Sequence, residues 1–232
     1  EQTIIDADGI SGYAIQNFGD GTTIKDLQLI NSQHYGFKVS GASNITLTNI
    51  LVENSAKTGI DLNGVQAATL TNIEVNNTVG GFGLMIGDSD DIAVDDVATS
   101  NNSWGGVTVQ SYGRYYAGGC DNIDFLGFFN ATDAVPFLIE QDPWVGVYSP
   151  ITNVDIPDQF NFAVYALRSG PDYKQTAYFE TLGDAKIHAE GLATTTSFTY
   201  TDIVIYNIEE TNYYVIENLS IQTAIDELRL AM

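Results

Sequence analysis

The residues best suited to chemistry in this chain are few and sit in turns. His34, Lys57 and Trp104 fall at nearly equivalent places of a repeat described below, and Tyr112, Arg114, Tyr115 and Tyr116 crowd into the insertion SYGRYYAGG at 111–119. An imidazole or amine that can move a proton, a guanidinium and several aromatic faces together describe a groove for a sugar polymer. The same residue types also suit a solvated turn. Glycan binding is therefore the stronger form of the idea, and a catalytic role is disfavoured. Only two histidines are present, His34 and His188. Acidic turns, DADG from Asp6 and DSDD from Asp88, have the oxygen-rich composition that suits calcium. GGFGLMIGD from Gly80 approaches the glycine-rich calcium nonapeptide but carries Met85 where that motif needs Asp. No cofactor is expected, with calcium the single candidate.

These turns are positioned by an internal repeat. Glycines preceding an alternating apolar pair stand at Gly12, Gly36, Gly59, Gly83 and Gly106, with spacings of 24, 23, 24 and 23. A second unit keeps the same register: TIKDLQLIN from Thr23, TLTNILVEN from Thr46, TLTNIEVNN from Thr69 and the looser AVDDVATSNN from Ala93. Apolar and polar residues alternate in each, which marks strands with one buried face. Asn31, Asn54, Asn77 and Asn101 recur at one position. Stacked about 4.8 Å apart, their amides are expected to form a buried structural ladder from coil to coil. The pattern is close to a leucine-rich repeat, but the Asn falls one residue early. The other half of each unit, such as GIDLNGVQAA, contains Gly and strand formers in place of a helix. The fold class expected is an all-β solenoid with coils of 23–24 residues.

The G-[IFLV]-x-[LVI] and [IT]-x-[LI]-x-N-I-x-V-x-N units, over residues 3 to 130, resemble the right-handed parallel β-helix repeat family within the pectate-lyase-like superfamily. The resemblance implies a right-handed parallel β-helix. It leaves function open, because the scaffold hosts polysaccharide lyases, alginate-modifying enzymes, phage tailspikes and surface proteins. The family's Asp-Pro-His-Glu catalytic motif is missing.

Past Gly106 the period loosens. Residues 1–160 read as the β-helix and 161–232 as a small α+β unit. In the latter FAVYALRSG, TDIVIYNI and NYYVIEN are strands, and TLGDAKIHAEGLA has helical spacing through Leu182, Ala185, Ile187, Ala189 and Leu192. At the end, LSIQTAIDELRLAM places Ile221, Ala224, Ile225 and Leu228 on one helical face, with Ser220 as N-cap. It resembles the amphipathic helix that caps the amino-terminal end of β-helices, here in reversed order. A unit of a tandem array, a head-to-tail assembly and a plain surface helix are the three readings of that reversal.

The chain has 30 acidic and 8 basic residues, a net charge of −22, which argues against nucleic acid and anionic membranes as partners. No apolar run approaches the length of a membrane span, so no membrane insertion is expected. Cys120 is a lone cysteine. Taken together, these features favour an extracellular or cell-surface structural or adhesive module that self-associates end to end. The alternative is a carbohydrate-active or glycan-binding β-helix acting on an acidic polysaccharide.

Overall fold

The computed structural model describes residues 3–112, 119–141, 151–168, 173–195, 200–210 and 212–217, the last as backbone only. Successive strand pairs make successive coils. They are β1 (Thr3–Asp6) with β2 (Ile15–Asn17), β3 (Thr23–Ile30) with β4 (Phe37–Ser40), and β5 (Ser43–Glu53) with β6 (Ile60–Asn63). Next come β7 (Gln66–Asn76) with β8 (Phe82–Gly87), β9 (Asp90–Ser100) with β10 (Gly105–Ser111), and β11 (Cys120–Ala131) with β12 (Phe137–Gln141). Of β1 to β12, the odd-numbered strands stack in parallel with β13 (Ile151–Val154) as one sheet, and the even-numbered strands stack in parallel in a second.

Each apolar row of the repeat becomes a column of the core. Leu47, Leu70 and Val94 lie in register, as do Val52 and Val75, and all are buried. From the second sheet Phe37, Ile60, Leu84, Val107 and Phe137 meet them. The glycine row follows from this packing. A Cβ on Gly36 would run into Val52, one on Gly59 into Val75, and one on Gly106 into Thr99.

The corners of the coil are residues in the left-handed backbone region. One column is Asp26, Asn49, Asn72 and Asp96. Another is Asn31, Asn54, Asn77 and Asn101. A third includes Asn44, Ala67, Asp91, Asn122 and Asn153. Asn and Asp tolerate this conformation better than other non-glycine residues. This corrects the expected buried Asn ladder. Asn54, Asn77 and Asn101 are exposed and Asn31 is half-buried. They serve as surface corners, with Asn54 Nδ2 donating to Asn31 Oδ1 at 3.3 Å and Asn31 Nδ2 to Asp6 Oδ1 at 3.1 Å. The reversal at each corner turns the next residue inward, so the buried polar column is Ser32, Ser55, Thr78 and Asn102. Asn102 holds two coils together, its Oδ1 accepting from the Thr78 N–H at 3.1 Å and its Nδ2 donating to the Val75 carbonyl at 3.1 Å.

The second sheet runs on beyond residue 160. Strand β12 pairs antiparallel with β15 (Lys174–Phe179), which continues through β14 (Phe162–Arg168) and β16 (Tyr200–Asn207) to β17 (Asn212–Glu217). Phe125, Phe129, Phe137, Phe160 and Tyr178 fill this end of the solenoid, with ring centroids 5.1–6.3 Å apart. Helix α1 (Leu182–Thr194) starts at Thr181, whose side chain accepts from the Asp184 N–H, and covers the outer side of these strands through Ala185 and Ala189. Leu182 and Leu192 join that face. Ile187, expected on it, is exposed because it falls five residues from Leu182 and so off the stripe. The helical segment holding Ile221, Ala224, Ile225 and Leu228 lies outside the described residues. Among the described residues no helix is long and apolar enough to cross a membrane.

Candidate functional site

The turn between the first sheet and the second repeats in every coil, so its side chains stack along the solenoid axis. The Lys57 N–H donates to the His34 carbonyl at 3.0 Å, and the Trp104 N–H, two coils beyond Lys57, donates to the Gly81 carbonyl of the coil before it. His34, Lys57 and Trp104 thus share one edge. Trp104 and Lys57 are exposed, and Trp104 rests edge-on against Phe82 at 5.8 Å. His34 joins an aromatic group. It stands 5.0 Å from Tyr13 and 4.6 Å from Tyr35, and the two tyrosines stack at 5.5 Å. Partial burial, with Lys57 and then Lys38 adding repulsion, holds its imidazole below the usual histidine pKa. Its Nδ1 is buried without a hydrogen-bond partner. On a chain of net charge −22 this edge gathers an imidazole, the exposed Lys57 amine and aromatic faces.

Tyr112 does not belong to that edge. It follows the far end of β10, where its N–H donates to Asp88 Oδ1 at 3.0 Å and its hydroxyl contacts Gln110 Oε1. Trp104 and Tyr112 therefore flank β10 at opposite ends. Arg114, Tyr115 and Tyr116 lie outside the described residues. The acidic turns use their carboxylates locally. Asp6 Oδ1 accepts from the Asp8 N–H at 3.0 Å as well as from Asn31, and Asp88 accepts from Tyr112. Among the described residues no group of three or more His, Cys, Asp or Glu side chains is placed to hold a metal.

A second arrangement was not singled out in the sequence. On the outer face of the second sheet, the row alternating with the core column reads Lys38, Asp61, Met85, Thr108 and Leu138 across adjacent strands. The next row reads Ser40, Asn63, Gly87, Gln110 and Glu140, and Gln110 Nε2 donates to Glu140 Oε2 at 2.9 Å. Although they face outward, Asp61, Thr108 and Gln110 are each 0% exposed. Lys38 Nζ meets Asp61 Oδ2 at 2.5 Å. Burial pushes the Asp61 carboxyl pKa up, while the lysine opposes that rise. Asp61 Oδ1, Asn63 Oδ1 and Thr108 Oγ1 are buried without partners. The signal was legible: GFKV and GIDL carry opposite charges at one position of neighbouring repeats.

Two parallel stacks closed by Asn corners, with polar side chains placed coil over coil on one edge and one outer face, define a β-helix module. The chain belongs to the right-handed β-helix family, whose model, a right-handed β-helix region, matches residues 4–123. No match is found among curated proteins or among solved structures.

Proposed function

We propose that the chain is an extracellular structural or adhesive module that works by stacking coil on coil at its ends. The observation that carries this reading is the first coil. Among the described residues β1 pairs only with β3, and β2 only with β4, leaving a free edge on each sheet. Ile4, Ile10 and Phe18 are exposed on the same coil. An unpaired strand edge beside apolar side chains is a template for another strand. A further coil, from a longer chain or from a second copy, supplies both the backbone partners and the apolar cover. Light scattering and negative-stain imaging of the 232-residue chain test this. Concentration-dependent strings are expected, dissolving in the double variant Ile4→Asp/Phe18→Asp. A wild-type chain that stays monomeric at high concentration refutes copy-to-copy stacking.

The aromatic and cationic edge favours a second activity for the same module, binding of an acidic polysaccharide laid along the axis. With coils about 4.8 Å apart, Tyr13, His34 and Lys57 stand on successive coils and Trp104 two coils beyond Lys57, so the four lie along the path of such a chain. Affinity electrophoresis through alginate or pectin checks it. Retardation weakened by Lys57→Ala and Trp104→Ala is expected, and unretarded migration in all uronic-acid polymers removes the reading.

A further inference from the structure

We propose that Lys38 and Asp61 condense into an intramolecular amide, an isopeptide staple joining neighbouring coils. The two residues are in register on adjacent parallel strands and share the outer face of the second sheet. Lys38 Nζ lies 2.5 Å from Asp61 Oδ2, the lysine side chain is 14% exposed and the aspartate 0%. Nζ also lies 5.1 Å from the centre of the Tyr35 ring, which confines the amine. Nucleophile and electrophile are thus held together before any reaction, the condition under which intramolecular acyl transfer gains most.

The chemistry balances without any further reagent. The Nζ–Cγ bond forms and the Cγ–Oδ2 bond breaks. One ammonium proton first passes to Asp61 Oδ2, giving the neutral amine that attacks and the protonated carboxyl it attacks; a second leaves with Oδ2 as water and the third stays on the amide nitrogen. No group is oxidised or reduced. Burial raises the pKa of Asp61, which favours the protonated carboxyl, the electrophilic form.

The product also resolves two costs of the starting pair. Two charges removed from water are replaced by a neutral amide. Asp61 Oδ1, buried without a partner, changes from a carboxylate oxygen to an amide carbonyl, which is far cheaper to leave unpaired. The bond closes the chain between equivalent positions of successive coils, so it resists peeling of the solenoid at the end proposed to bear contacts.

Intact-mass spectrometry of the full chain tests the proposal. The wild-type protein is expected one water lighter than its sequence mass, Lys38→Arg at full mass, and a proteolytic map is expected to show a branched peptide joining Lys38 to Asp61. Wild-type protein at full sequence mass overturns the proposal. So does a water loss that persists in Lys38→Arg, which would place it elsewhere, as in a succinimide at Asp8–Gly9. Should Lys38→Arg not fold, the branched peptide in the wild-type map decides alone: its presence supports the staple and its absence overturns it.

Discussion

Ala67 is the residue whose replacement tests the corner geometry most directly. It has φ 58° in a column where coils before and after use Asn44, Asp91 and Asn122, also at positive φ. For an L-residue with a Cβ the left-handed region costs roughly 1–2 kcal/mol, a cost that Asn partly escapes. In this column the Asn122 amide already donates to Asp91 Oδ1 of the preceding coil at 2.7 Å. An Asn at 67 can donate to Asn44 Oδ1 in the same way, adding about 0.5 kcal/mol for an exposed bond. Ala67→Asn should therefore stabilise the protein by about 1–2 kcal/mol, or roughly 2–4 °C per kcal/mol for a chain of this size. Ala67→Gly gains the conformational relief but loses about 0.5–1 kcal/mol of it to unfolded-chain entropy. Ala67→Val, β-branched, should be clearly destabilised. Thermal unfolding followed by circular dichroism ranks the four proteins Asn, Gly, Ala, Val in falling stability. A valine variant as stable as wild type, or an asparagine variant no more stable, would refute the claim that backbone conformation selects the corner residues.

Other expectations follow from burial and charge. Leu70→Ala, at a side chain wholly buried between coils, should cost about 2–5 kcal/mol, whereas Ile187→Ala, on the exposed face of α1, should change stability by no more than about 0.5 kcal/mol in urea titrations. Cys120 is buried and burial pushes its thiol pKa up to about 12, so thiol reagents should leave it unmodified until the chain is unfolded in urea. Burial lowers the His188 pKa from 6.5 to about 4. Its contribution is full above pH 6.5 and is lost as pH falls from there toward 4, because the unfolded imidazole takes the proton first. His188→Gln should remove roughly 3 kcal/mol from the fall in unfolding free energy between pH 6.5 and 4, read by urea titration at each pH, and a profile with unchanged slope would remove His188 as its source.

The solenoid was legible because its signal is repeated. One apolar alternation is weak evidence, but Leu47, Leu70 and Val94 at a constant interval state the same strand several times. The Asn column was visible too, yet its depth was misjudged. Sequence spacing gives recurrence, whereas the left-handed turn that pushes Asn54 out and draws Ser55 in is a property of the backbone. The split of the expected groove has a similar origin. Tyr112 lies close in sequence to the turns that carry Trp104, but a full strand of β10 separates them. Ile187 was misplaced because a 13-residue helix covering a sheet with Ala185 and Ala189 needs only a narrow stripe.

In a solenoid, chemistry is best sought where the repeats differ. A column identical in every coil, such as the glycines, is explained by the stacking itself. The outer row of the second sheet is flanked by two apolar columns, Phe37 to Phe137 and Val39 to Ile139, yet itself changes from Lys38 to Asp61, Met85, Thr108 and Leu138. Stacking requires no such variation, and a solvated face would not bury it. Since register brings equivalent positions of adjacent coils into contact, a lysine in one coil and an aspartate in the next must meet whatever the rest of the coil contains. The contact between Lys38 and Asp61 is thus a consequence of period and composition together. Moving either residue by one position would send it into the core, so the pair can be abolished without altering its composition. Exchanging Lys38 and Asp61 keeps both residue types in register and should preserve the pair. Exchanging Lys38 with Val39 should break both the pair and the fold's apolar column.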